Sequence, residues 1–79
     1  MRLDKYLKVS RLIKRRTVAN EACDAGRVLV NDKAARASYD VKIGDVITIQ
    51  LGARELRAQV LDVQETVAKN DAALLYKLL

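Results

Sequence analysis

The stretch "SRLIKRRTVANEACDAGRVLVND", residues 10–32, decides how this chain is read. It opens with Arg11, Lys14, Arg15 and Arg16, runs through a helical segment, and ends in an apolar, strand-like run before a turn. Val18, Ala22 and Ala25, with Ala19 and Cys23, make a narrow face of small side chains suited to close helix packing. Thr17 can cap this helix, Glu21 is a first-turn acid that the helix dipole favours, and Gly26 can end the helix in a left-handed conformation. "RVLV" then starts a strand, and Asn31-Asp32 makes a two-residue turn into "KAARA".

Upstream, Leu3, Tyr6 and Leu7 fall on one helical stripe, with Arg2, Lys5 and Lys8 beside or opposite it. A short amphipathic helix is predicted from about Leu3 to Val9, with a break at Ser10. Downstream, "SYDVKIGD" reads as a connection with one buried side. "IGDVITIQL" alternates as a strand, and "GAR" turns into a further strand in which Leu56, Ala58, Val60 and Val63 are the inward set. "AKNDAALLYKLL" reads as a closing helix, with Asn70 or Asp71 as its cap. The expected fold is therefore α+β: two N-terminal helices packed on a small, mainly antiparallel sheet, with a short C-terminal helix, in one domain over residues 1–79.

A chain of 79 residues sits near the lower limit for a single self-sufficient core. It has no tryptophan or phenylalanine, so the core must be aliphatic, with Tyr6, Tyr39 and Tyr76 as its aromatics. Histidine is absent, which removes the commonest general base and the commonest metal ligand. With one cysteine there is no zinc-binding pattern and no intramolecular disulfide, in keeping with a reducing cytoplasm; Cys23 reads as an inert core thiol. No enzyme, cofactor or metal is expected. "MRLDKYLKVS" lacks the apolar region of a signal peptide, and no apolar run approaches the roughly 20 residues that span a bilayer.

The net charge of +5 is unevenly placed. Residues 1–16 hold seven basic residues against Asp4 alone, whereas residues 17–79 hold eight basic and nine acidic residues. A merely solubilising surface mixes its signs. A disordered basic tail is at odds with the leucines and isoleucine threaded through the block, and a membrane helix needs a larger apolar face. A folded polyanion-binding face fits best.

The order of motifs then becomes specific. "MRLDKYL", the basic-hydroxyl start at Arg16-Thr17, Ala19 one turn in, Gly26-Arg27-Val28, Val30-Asn31 and Gly44-Asp45 together resemble the RNA-binding domain named after small-subunit ribosomal protein S-four, over roughly the first 50 residues. The free-standing size and the opening "MRLDKYLKVSRLIKRRTVA" resemble the RqcP-like group of that family, and the small ribosome-associated heat-shock proteins beside it. The resemblance implies an αL-type RNA-binding fold and a role in bacterial ribosome-associated quality control. Implied partners are large-subunit rRNA, peptidyl-tRNA, the stalled large ribosomal subunit and the factor RqcH, whose alanine tailing such proteins support. A cytoplasmic protein, monomeric away from the ribosome, is expected. The group runs slightly past Leu79, with a basic tail. One departure is Asp32, where the family's turn carries glycine, so a different hairpin tip is expected.

The candidate RNA contacts follow from charge and side-chain chemistry. Arg2, Lys5, Lys8, Arg11, Lys14, Arg15 and Arg16 can neutralise phosphates, with Arg2, Arg15 and Arg16 ranked first for their bidentate forks. Thr17 and Asn20 add donors at a helix start, Thr17 serving as cap, phosphate donor or both. Arg27, Asn31 and Lys33 extend the face along the hairpin; Arg36 and Lys42 read equally well as solvated. Asp4 has an orienting role, holding Arg2 or a nearby lysine or capping the first helix. Two rival classes remain: an RNA-modifying enzyme, for which no catalytic residues are left, and a protein-docking module built on "AALLYKLL".

Overall fold

The computed structural model describes residues 1–79. Helix α1 spans Leu3–Val9 and helix α2 spans Arg16–Asp24. Strands β1 (Val28–Val30), β2 (Lys33–Ala34), β3 (Val46–Leu51) and β4 (Arg54–Val60) follow, then a 3-10 helix over Lys69–Leu75 and strand β5 over Tyr76–Leu78. The sheet is antiparallel throughout, in the order β2-β1-β3-β4-β5. Three helices thus pack on a five-stranded sheet. None is long and apolar enough to cross a membrane.

The stripe expected on α1 is the one that is buried: Leu3, Tyr6 and Leu7 are fully enclosed. They meet Val28 and Val30 of β1, Ile47 and Ile49 of β3, and Val60 of β4 in one core. The first N–H groups of a helix have no partner within it. Here the connection between β2 and β3 supplies two acceptors, as Leu3 N–H donates to the Tyr39 carbonyl and Asp4 N–H to that of Ala37. The basic N-terminal segment is therefore bound to the sheet and is no loose tail. Tyr6 crosses the core and donates its hydroxyl to the Leu75 carbonyl at 2.7 Å. Burial, with the nearby charge of Asp62, pushes that phenol far up, so it remains a donor.

Both helices end with a residue in the left-handed region. After α2 it is Gly26, with φ 77°, and Arg27 N–H donates to Ala22 while Gly26 N–H donates to Cys23, as expected for a glycine stop. After α1 the equivalent place falls to Arg11, with φ 62° and its N–H on Lys8. A side chain with a Cβ is disfavoured there by roughly 1–2 kcal/mol.

Four expectations are corrected. Helix α2 starts at Arg16 with Arg15 as N-cap and no side-chain cap, so Thr17 lies inside the first turn and Glu21 beyond it. The buried face of α2 is Ala19 and Cys23, four residues apart; Ala22 only adjoins it, and Val18 and Ala25 face solvent. "AKNDAALLYKLL" is no continuous helix: only Lys69–Leu75 coils, without a side-chain cap from Asn70 or Asp71, and Tyr76–Leu78 pairs with β4. That strand satisfies backbone groups that would otherwise line an open edge. Finally, the hairpin tip is an ordinary two-residue turn even with Asp32 in it. Asn31 and Asp32 have φ of 52° and 68°, the doubly left-handed geometry of a two-residue turn, and Val30 still faces Lys33.

Asp32 is thus an aspartate at a place that glycine occupies more readily. Its carboxylate lies 3.9 Å from Arg57 on exposed side chains, a pairing that contributes little. Asp32→Gly is expected to raise stability by about 0.5–1 kcal/mol, read as a higher denaturant midpoint at unchanged slope. A lower midpoint would show that Asp32 holds the turn in some other way.

Candidate nucleic-acid interface

The site grows from one buried carboxylate. Asp4 sits on the first turn of α1, and its side chain is only 2% exposed. It accepts Arg2 Nε at 3.2 Å and Arg2 Nη2 at 3.3 Å, Asn20 Nδ2 at 3.1 Å and the Lys5 backbone N–H at 2.8 Å. Arg16 Nε lies 3.5 Å from Oδ2, the oxygen that also accepts Arg2 Nη2 and Asn20. Burial raises the carboxyl's pKa, but the Asn20 and Arg2 hydrogen bonds, the Lys5 N–H and the Arg16 charge outweigh it and hold the group below its ordinary value.

This geometry joins the helices and aims the arginines at once. Arg2 meets Asp4 with its Nε/Nη2 edge, leaving the other edge of the guanidinium outward. Arg16 uses Nε and keeps its terminal nitrogens clear. Both side chains remain about half exposed, at 51% and 48%. A phosphate can therefore take the free edge of a fork whose direction is already fixed. Lysine, a single point donor, cannot hold Asp4 and a phosphate in the same manner.

Two hollows flank Arg16. The first, about 430 Å³, is bordered by Lys5, Lys8, Arg11, Lys14 and Arg16, with Glu65 on its far wall. Lys5 is ion-paired with Glu65 there, and the Lys5 hydrogen bond holds the Glu65 carboxyl below its usual range. The second, about 440 Å³, is bordered by Arg2, Asp4, Arg16, Thr17, Asn20 and Glu21. Arg16 belongs to both.

The residues expected from the sequence therefore divide. Arg2, Lys5, Lys8, Arg11, Lys14, Arg16 and Thr17 converge on the two hollows. Asn20 is there too, but its amide N–H is engaged by Asp4, so it supports the arginines before it donates to any ligand. Arg15 is exposed beside the hollows and borders neither. Arg27 is exposed ahead of β1, away from both linings, and Lys33 borders a separate hollow on the hairpin with Arg36. Asn31 borders that hairpin hollow and also holds the turn: Nδ2 donates to Asp45 at 3.1 Å and Oδ1 accepts the Val46 N–H at 3.0 Å, which pins it to β3. Residues that sequence reasoning missed are Glu65, Thr66 and Val67, which close the first hollow from a segment 60 positions away from Lys5.

Arg11 deserves a separate test because its strained backbone lies at the rim of the basic hollow. Arg11→Gly is expected to stabilise the fold by about 1 kcal/mol while weakening polyanion binding several-fold. Opposite signs in a melting curve and a binding titration would separate the two roles; a loss in both would show that the side chain supports the fold.

Cys23 is buried in the core under this site. Burial, then the charges of Asp4 and Asp24, push its thiol up to about 11, so it remains protonated and unreactive at neutral pH.

With this geometry in view, comparison with known proteins is specific. The S4 domain family matches residues 1–47. The RQC P-site tRNA stabilizing factor of Bacillus subtilis is 51% identical over 79 residues, covering 100% of this chain and 92% of that protein. The chain belongs to the S4-domain family of RQC P-site tRNA stabilizing factors. Membership of this family extends over the sheet and the C-terminal segment as well as the two helices, because the similarity runs end to end. The Heat shock protein 15 homolog of Haemophilus influenzae is more distant, at 28% identity over 78 residues, with 98% of this chain and 60% of that protein covered. Among solved structures, trimeric Heat Shock Protein 15 of Vibrio cholerae superposes with a TM-score of 0.91 at 30% identity, covering 100% of this chain and 81% of that one. The fold is thus shared across both branches, and the higher identity lies with the stabilizing factors.

Proposed function

We propose that this protein is a non-enzymatic RNA-binding factor of ribosome-associated quality control, which holds the peptidyl-site tRNA on an obstructed large ribosomal subunit. The observation that carries this reading is Arg16: in a chain of this family, it is held beside a buried carboxylate and shared by two hollows, one of them strongly basic. Phosphates on two sides of one rigid face suit RNA recognised by backbone and shape. Large-subunit rRNA and peptidyl-tRNA are the two RNA partners. By holding the tRNA, the protein supports RqcH in adding an alanine tail to the stalled chain, acting as a monomer in the cytoplasm.

The test is capture of the tagged, full chain from bacteria with stalled translation. Large subunits bearing peptidyl-tRNA, together with RqcH, are expected to come with it. Recovery of subunits without RqcH would move the protein to the rescue role of the heat-shock branch. Capture of neither would sink the ribosomal reading.

A further inference from the structure

A third hollow lies on the β1–β2 hairpin and shares no lining residue with the two around Arg16. It is larger than either, about 630 Å³, within the range that seats small ligands. Lys33 and Arg36 supply two exposed positive charges, and none of its lining residues is acidic. In this it differs from its counterparts, which contain Glu65 in one case and Asp4 and Glu21 in the other. Its floor is apolar, from buried Val30 and Ala35, and Ser38 contributes a hydroxyl.

One edge of the hollow is tied down by hydrogen bonds. Tyr39, half-buried at its edge, donates its hydroxyl to Asp45 Oδ2 at 3.0 Å, and Lys42 N–H donates to the same oxygen at 3.0 Å. Asn31 binds the other oxygen of Asp45. The hairpin turn and the aromatic ring are thereby fixed to one carboxylate, so a ligand meets a formed cavity. A concave, apolar-floored cavity with an aromatic edge suits a base turned out of its stack, whereas duplex RNA is read by shallow surfaces.

We propose that this hollow seats one unstacked nucleotide of a single-stranded RNA segment, with Lys33 and Arg36 on the phosphates that flank it. The proposal rests on the reading of the protein as an RNA-binding factor. It gives Arg36, which the sequence leaves open between an RNA contact and a solvated charge, a defined role, and it makes the hairpin a second contact independent of Arg16.

The experiment uses the full chain labelled with 15N and a five-nucleotide oligouridylate, too short to form a helix. The oligonucleotide is expected to shift the amides of Ala34, Ala35 and Ser38. Those shifts persist in the double variant Arg2→Ala/Arg16→Ala. In Lys33→Ala/Arg36→Ala, whose exposed positions leave the fold intact by melting temperature, affinity falls by about tenfold or more. Shifts confined to the surroundings of Arg16, or equal affinity in the hairpin variant, would overturn the proposal. So would equal shifts with inorganic phosphate or polyglutamate, which would make the hollow a general anion site or a peptide site. Failure of the wider RNA reading looks different: no amide in either region responds to RNA.

Discussion

Replacing Arg16 with alanine is expected to lower affinity for the large ribosomal subunit by about tenfold or more, the equivalent of one charge-assisted hydrogen bond. The loss is large for one residue because Arg16 borders both hollows. Half-exposed and paired with Asp4 only through an ion contact at 3.5 Å, Arg16 contributes little to folding, so the melting temperature should barely move. Arg16→Lys keeps the charge but loses the second edge of the fork, so it should recover only part of the affinity. Sedimentation with large subunits at matched concentrations reads all three proteins. A variant that pellets with subunits as well as the parent would remove Arg16 from the interface.

The second large effect belongs to Asp4. Asp4→Ala leaves Asn20 and the Lys5 N–H without their acceptor and frees both arginines, at a cost of about 2–3 kcal/mol. That is a sizeable share of the stability of so small a domain. RNA affinity should fall too, even at temperatures where the variant is fully folded, because Arg2 and Arg16 lose their common anchor. The dependence on pH has a definite sign. The folded-state pKa of Asp4 is lowered, so its ionised form stabilises the protein above the unfolded value of about 4 and that contribution is lost as pH falls through the folded value. The gap in melting temperature between the parent and Asp4→Asn should therefore be widest at neutral pH and close under acid. A gap independent of pH would mean that the shape of the side chain matters, and its charge does not.

Much of this site was legible because its chemistry is local. Seven basic residues in the first sixteen, interleaved with Leu3, Tyr6 and Leu7, define a docked cationic helix with no knowledge of the sheet. Gly26 announced the end of α2 for the same reason. The choice of Arg16 over Arg15 was less accessible. Both have the same chemistry, and only the packing of α2 against Asp4 points one at the hollows. The supporting bonds of Asn20 and Asn31 were hidden, because an amide that serves a buried carboxylate looks, in sequence, like one that serves RNA. Asp4 and Asp45 lie 16 and 14 positions from those partners, beyond any local pattern. The C-terminal strand was hidden by composition: "YKLL" favours a helix by propensity, and only the open edge of β4 makes a strand the better outcome.

The bond from Tyr6 to the Leu75 carbonyl spans 69 positions, so the first helix is anchored by almost the last turn of the chain. Contacts of such separation form late, since the whole intervening segment must be ordered before they bring any gain. Leu61 and Asp62 also donate their N–H groups to that same Leu75 carbonyl, which closes the sheet around it. Seating α1 on the sheet therefore waits for the segment around Leu75, so a change there should loosen the mount of the basic face without touching any of its charges.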